Sequence, residues 1–185
     1  MAQLRFEGFV IVSANGMLAD AANVMPGALK FDADQVFFSG NLDRMDLIVH
    51  GRNSIEDHQN SDRRNRIVLT RTIPSLARDT ANPKSILWNP NGAEFGDACA
   101  MAGVTSGSVA VIGGPGVFAM FRSRYDVFWL SEAHRLQIPD GQGVFPGVPE
   151  RTPQTILTEW GLSADAPRVL DSGNGVTVTP WRRKR

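Results

Sequence analysis

Cysteine is nearly missing from this chain. Cys99 is its single thiol, so no intramolecular disulfide can form, and neither a CxxC zinc pair nor a redox dithiol is available. An excess charge of either sign is also missing. The 19 Lys and Arg residues balance 19 Asp and Glu residues to a formal net charge of zero, which argues against a surface built mainly to bind nucleic acid. No apolar run approaches membrane-spanning length, and Arg5 and Glu7 interrupt the first apolar stretch, so neither insertion nor secretion is expected. A reducing cytoplasm is the expected setting. The three histidines, His50, His58 and His134, stand singly, and no metal site is expected. The sequence has no GxSxG elbow, no HExxH helix and no phosphate loop of the GxxxxGK type, which removes the serine-hydrolase, zincin and P-loop readings.

What is present fits one α/β domain over residues 1–185, long enough to bury a core without staples. Leu4 to Ser13 alternates and then turns fully apolar, as a strand entering a core does. Met17 to Leu29, with Asp20, Asn23, Pro26 and Gly27 among small residues, predicts a long ordered loop. Val36, Phe37, Phe38 and Leu42 recur at helical spacing behind Asp32 and Asp34, giving a helix over Asp32 to Arg44. Further strands are expected at Asp46–His50, Arg66–Arg71, Ser85–Trp88, Ser108–Ile112, Tyr125–His134, Thr155–Trp160, Arg168–Leu170 and Val176–Trp181. Helices are expected at Glu94–Gly103 and after Gly116, and a Gly- and Pro-rich loop at Ile138–Pro153. Cys99 falls on an apolar helical face and reads as core.

The most informative stretch is Val111-Ile112-Gly113-Gly114-Pro115-Gly116-Val117-Phe118. A buried strand breaks into glycines that permit positive φ and close approach of a ligand to the backbone. Pro115 suits a first helical turn, so a helix N-terminus with free amides would face an anion. A plain strand-to-helix turn fits the same residues. A second junction strengthens the phosphate reading: Asp46 to His50 stops at Gly51, and Arg52 to Glu56 reads as the start of a short helix. Two such helix ends along one sheet edge suit the several phosphates of a dinucleotide. Arg52 with Ser54, and Thr70 with Arg71 at the end of the next strand, each offer a cation and a hydroxyl, although solvated strand-end arginines fit as well.

With these motifs in place, the chain resembles the dihydrofolate-reductase-like family, including the reductase domain of riboflavin biosynthesis, over most of its length. The resemblance rests on "VIGGPGVFAMF" (111–121), "VHGRNS" (49–54), "RIVLTR" (66–71) and "YDVFWLS" (125–131) in that order, with Met25-Pro26 and Phe145-Pro146 between and beyond them. It implies a three-layer sandwich around a mostly parallel mixed sheet. It also implies an NADPH-dependent reductase of a pterin-like or ribosylated pyrimidine-like small molecule, and a homodimer through the late strands. Under it, NADPH would be held by Ala14, Gly51, Arg52, Ser54, Thr70, Arg71, Gly113, Gly114, Pro115, Gly116, Val117 and Phe118. Asp34 would bind the substrate ring and assist protonation, beside Phe37 and Phe38, with Arg64 at the position that holds an anionic tail. Asp32 competes with Asp34, and Arg64 sits between Arg63 and Arg66 in what also reads as a solvated basic turn. Gly27-Ala28 replaces the tryptophan usual after Met-Pro, and Gly141-Gln142-Gly143-Val144 replaces an acidic pattern before Phe-Pro, which leaves the substrate open. The zinc deaminase motif that accompanies this reductase in bifunctional enzymes is absent from the sequence.

Two other readings remain. Gly114 to Ala119 fits a GxGxxA dinucleotide fingerprint with Glu132 as a ribose ligand. A non-catalytic NADP(H)- or nucleotide-binding protein on the same fold would keep the cradle without the reaction.

Overall fold

The computed structural model describes residues 3–54 and 56–184. Its centre is a run of parallel strands whose residues alternate between two apolar faces. In β1 (Leu4–Ser13), β3 (Leu47–Gly51) and β7 (Gly107–Val111), Phe6, Leu47, Val49, Val109 and Val111 enter the larger core, while Phe9, Ile48 and Ala110 enter a second core on the opposite face. The period of two in the sequence therefore becomes two buried layers. β1 lies between β7 and β8 (Tyr125–Ala133), parallel to both; β7 continues to β3, β4 (Arg66–Leu69) and β6 (Ser85–Trp88), all parallel.

Short antiparallel strands finish both ends. β5 (Leu76–Arg78) pairs with β6, and β12 (Val176–Arg183) pairs with β8 and carries β10 (Leu162–Ala164) and β11 (Arg168–Asp171). The order is β10-β12-β8-β1-β7-β3-β4-β6-β5, with β11 also on β12. The mostly parallel mixed sheet expected from the sequence is present. A two-stranded pair of β2 (Met17–Ala19) and β9 (Gln142–Gly143) sits apart.

α1 (Asp32–Leu42) covers the Phe9 face with Phe37, Phe38 and Leu42. α2 (Phe95–Ala102) and α3 (Pro115–Met120) put Phe95, Ala98, Val117 and Phe118 on the other. From β1 the chain leaves through α1 towards β3, and from β7 it returns through α3 to β8. Neighbouring strands β1 and β7 thus send their connections to opposite faces and in opposite directions, which opens a crevice at their carboxyl ends.

Several sequence expectations need correction. Thr155 to Trp160 is not a strand: Pro153–Glu159 forms α4, because Thr152 accepts a hydrogen bond from the Thr155 amide at 3.1 Å and Pro153 occupies the first turn. Among the described residues of 52–56 there is no helix; Arg52 and Asn53 form a turn closed by the Ser54 amide on the Gly51 carbonyl at 3.0 Å, and residue 55 lies outside the described residues. The Met17–Leu29 loop contains β2 and a 3-10 turn at Gly27–Leu29. The first helix ends at Leu42 instead of Arg44. Among the described residues no helix is long and apolar enough to cross a membrane.

Leu47, the first residue of the strand that ends at Gly51, is fully buried in the larger core. Leu47→Ala is expected to destabilise the fold by about 2–5 kcal/mol, read from urea unfolding.

Candidate active site

The carboxyl ends of β7, β3 and β4 lie side by side, with Val49 opposite Val111 and Gly51 opposite Leu69. The segments that leave those ends, Gly113–Gly116, Arg52–Ser54 and Thr70–Arg71, are therefore brought to one edge of the sheet. Gly51 donates its amide to the Gly113 carbonyl at 2.8 Å, joining the two glycine junctions directly. Gly113 has φ +115°, and a Cβ there would meet the Phe118 ring at 3.3 Å and Ser54 Oγ at 3.4 Å, so only glycine fits without adjustment. Val117 and Phe118 turn their amides back onto the Gly114 carbonyl, at 3.0 Å each. The Gly116 amide lies in the first turn of α3, where helix geometry supplies no acceptor. Arg52 and Arg71 are exposed on this edge, whereas Thr70 is buried with its hydroxyl 2.9 Å from that of Thr72. Ala14, exposed at the end of β1, donates its amide to Leu136. Among the described residues one helix N-terminus is present here where the sequence suggested two; the Gly51 turn contributes Ser54 instead, against Gly113 and Gly114.

Beside this edge opens a cavity of about 350 Å³, within the range of small-molecule sites. Phe9 and Ile11 of β1 and Ser131 of β8 form its sheet side, α1 supplies Asp34, Phe37 and Phe38, and Ile112 and Ser54 connect it to the glycine cradle. Asp34 is 4% exposed. Burial pushes its carboxyl above the ordinary range, against the opposing pull of the Ser131 hydroxyl and of the nearby His58. Asp32 is exposed and does not line the cavity. The structure thus brings Asp34, Phe37 and Phe38 together in one wall.

Arg64 lies elsewhere. Its guanidinium is buried and bonded to Glu56, to Asp43 at 2.7 Å and to the Gln59 carbonyl at 3.2 Å, and it does not line the cavity. Its place as a tail-binding arginine and its alternative as a solvated turn residue both give way to a buried structural ion pair. Arg66 completes the cluster, donating to Glu56 at 3.2 Å, to the Ser61 carbonyl at 2.9 Å and to His50 Nε2 at 3.2 Å. His50 Nδ1 donates to the Gly51 carbonyl at 2.8 Å, so Nε2 is left to accept from Arg66 and the ring is the neutral Nδ1–H tautomer. Burial, helped by the Arg66 charge, holds His50 below its ordinary value. Burial alone would raise Glu56, but Arg64 and Arg66 hold its carboxyl below the usual carboxylate range. Glu132 is not free for a ribose: it accepts from Gln154 and does not line the cavity.

Residues that the sequence reading missed are Glu56, Arg66, Ser131, Gln35 and the part played by His58. Arg66 and Ser131 stand at the ends of quoted motifs, but no motif showed their partners, which are set by the fold, as in the Glu56–Arg66 bond across 10 positions and the Gln35–His58 bond across 23. A buried Glu between two buried arginines predicts a severe single-site effect. Glu56→Ala is expected to destabilise by about 3–5 kcal/mol in urea unfolding, because Arg66 loses its counter-charge and Arg64 keeps only Asp43. The stabilisation from Glu56 is present above the ordinary Glu range and is lost as pH falls through its depressed folded value, so the variant's deficit should shrink in strong acid.

No family model matches the sequence, and no curated protein matches it. Solved structures do. A dihydrofolate reductase from Enterococcus faecalis complexed with NADP(H) and RAB-propyl superposes with a TM-score of 0.65 at 17% identity, covering 98% of this chain and 97% of that one. A riboflavin biosynthesis protein from Shewanella gives 0.64 at 19% identity over the full length of both chains. A diaminohydroxyphosphoribosylaminopyrimidine deaminase/5-amino-6-(5-phosphoribosylamino)uracil reductase from Thermotoga maritima gives 0.62 at 15% identity; the match covers 97% of this chain but 56% of that one. The chain has the dihydrofolate-reductase-like fold.

Proposed function

We propose that this protein is an NADPH-dependent reductase of a pterin-like or ribosylated pyrimidine-like heterocycle. The observation that carries the reading is the continuity of the glycine cradle with the Asp34 cavity, joined by Ile112 and Ser54. A dinucleotide needs that arrangement: phosphates at one place, and a reacting ring delivered to a second place a few ångströms beyond. The residues fit the group. Gly113, whose φ of +115° suits glycine alone, and Gly116, whose amide in the first turn of α3 has no helical acceptor, suit a pyrophosphate. Arg52 and Arg71, exposed on the same edge, suit the additional phosphate that separates NADPH from NADH. When bound, NADPH supplies the hydride.

The chain's own residues do the remainder. Phe9, Phe37 and Phe38 give a planar heterocycle apolar walls and exclude water from it. Asp34 holds the ring by hydrogen bonds to a ring nitrogen and an adjacent amino group. Burial raises its proton affinity, which suits the carboxyl to relaying the proton that reduction of a C=N bond consumes. The Ser131 hydroxyl lines the cavity with that carboxyl and favours its charged form.

Equilibrium titration with NADPH and NADH tests the cofactor assignment. Micromolar or tighter NADPH binding is expected, and Arg52→Ala with Arg71→Ala should weaken it at least about tenfold while changing NADH little. Asp34→Asn should leave NADPH affinity within about twofold and lower kcat by about 100-fold or more. The same variant should be more stable than the wild type at neutral pH. The native state holds the Asp34 proton more tightly than the unfolded chain, so wild-type stability falls as pH rises from the ordinary Asp range through the raised value, and asparagine removes that loss. Tight NADPH binding with no turnover of any pterin or pyrimidine would favour a binding protein instead.

A further inference from the structure

We infer that the hydrogen bond between Gln35 and His58 is a specificity-determining clasp across one side of the cavity. It admits a compact heterocycle with a hydroxyl-bearing substituent and turns away one with a long apolar or aromatic tail. The inference rests on the reductase reading for the word substrate, while the clasp itself stands on geometry.

The two residues line opposite sides of the same cavity, Gln35 from α1 and His58 from the loop after β3. His58 Nε2 and Gln35 Oε1 are 2.6 Å apart, so the gap between helix and loop is bridged at that point. Gln35 follows Asp34 in the first turn of α1. A step of about 100° around the helix takes the chain from the buried carboxylate to the half-buried rim. A tail leaving an Asp34-bound ring between helix and loop would therefore meet this bond.

His58 is held in place from three directions. Its backbone amide donates to Glu56 Oε1 at 3.1 Å, its Nδ1 faces the same oxygen at 3.4 Å, and the Phe38 ring packs edge-on at a centroid distance of 5.4 Å. Glu56 is itself immobilised by Arg64, Arg66 and Ser61, and Arg64 reaches Asp43 just beyond the end of α1. Loop and helix are thus tied at both ends of α1. His58 Nδ1 is buried on the Glu56 side, so Nε2, bonded to Gln35, is the ring nitrogen placed at the clasp. Lys30, Asn53 and Asp57 continue the rim with polar groups. An apolar tail would break the clasp and leave the imidazole and the amide unpaired, whereas a hydroxylated substituent replaces the bonds it displaces.

Isothermal titration of the NADP-loaded protein with two probes tests this: 5-amino-6-(5-phosphoribosylamino)uracil, whose substituent is hydroxylated, and dihydrofolate, whose tail is aromatic. The wild type is expected to prefer the first. Gln35→Leu and His58→Leu should each shift the ratio of the two Kd values towards dihydrofolate by about tenfold or more. The double variant should shift it little further, because either change opens the same bond. Gln35→Ala and His58→Gln serve if a leucine variant does not fold. A ratio unchanged in both single variants, fully additive shifts, or no binding of either probe by any of these proteins would overturn the clasp. NADPH affinity is measured on the same samples. Its loss in the wild type would overturn the reductase reading, while retained NADPH affinity with an unchanged ratio would overturn the clasp alone.

Discussion

The Gly51 amide donates to the Gly113 carbonyl at 2.8 Å, and much of the candidate site hangs from that bond. It continues the pairing of β3 with β7 beyond their last ladder pair, Val49 and Val111, and it sets the Gly51–Ser54 turn against the glycines that precede α3. Ser54 then falls against Gly113 and Gly114, and the φ of +115° at Gly113 reserves that position for glycine. The same turn is held from below, since His50 donates to the Gly51 carbonyl and accepts from Arg66. Gly51 is thus fixed through both its amide and its carbonyl. The sequence Gly113, Gly51, His50, Arg66, Glu56, His58, Gln35 is a continuous series of contacts from the glycine cradle to the cavity rim.

Burying Glu56, Arg64 and Arg66 together is costly in itself, and an apolar trio of the same volume would serve stability as well or better. What the charged cluster provides is geometry. Arg66 reads the Ser61 carbonyl, the His50 lone pair and the Glu56 carboxylate at once, which fixes the loop between β3 and β4 in one arrangement. That loop carries His58 and Ser54, so a rigid loop means a cavity wall and a cradle wall whose positions are set before any ligand arrives.

Much of this was legible in the chain itself. The alternation of Leu47, Ile48 and Val49, the run Val109 to Val111, and the glycines after it fixed the strands and the cradle because buried parallel strands and positive-φ turns each demand particular residues. The misreading of 155–160 has a physical cause: Thr155 and Ile156 favour strands in isolation, but the Thr152 cap and Pro153 override that preference. The Gly51 junction promised a helix because Arg52 to Glu56 has a helical start. In the structure, Glu56 is instead drawn towards Arg64 and Arg66, contacts that no local pattern announces. Asp34 and Asp32 were indistinguishable by sequence, because only burial beside Ser131 separates two carboxylates in one helical turn.

The central claim is that a phosphorylated dinucleotide occupies the edge built by Gly51 and Gly113 and reaches the Asp34 cavity. Backbone amide chemical shifts during titration of the isotopically labelled protein with NADP test it most directly. The account predicts saturable shifts at Gly51, Ser54, Gly113, Gly114 and Gly116, continuing to Ile112 and Asp34. Shifts confined to the opposite ends of these strands, around Asp46, Gly103 and Ser106, or no saturable shift at all, would contradict it.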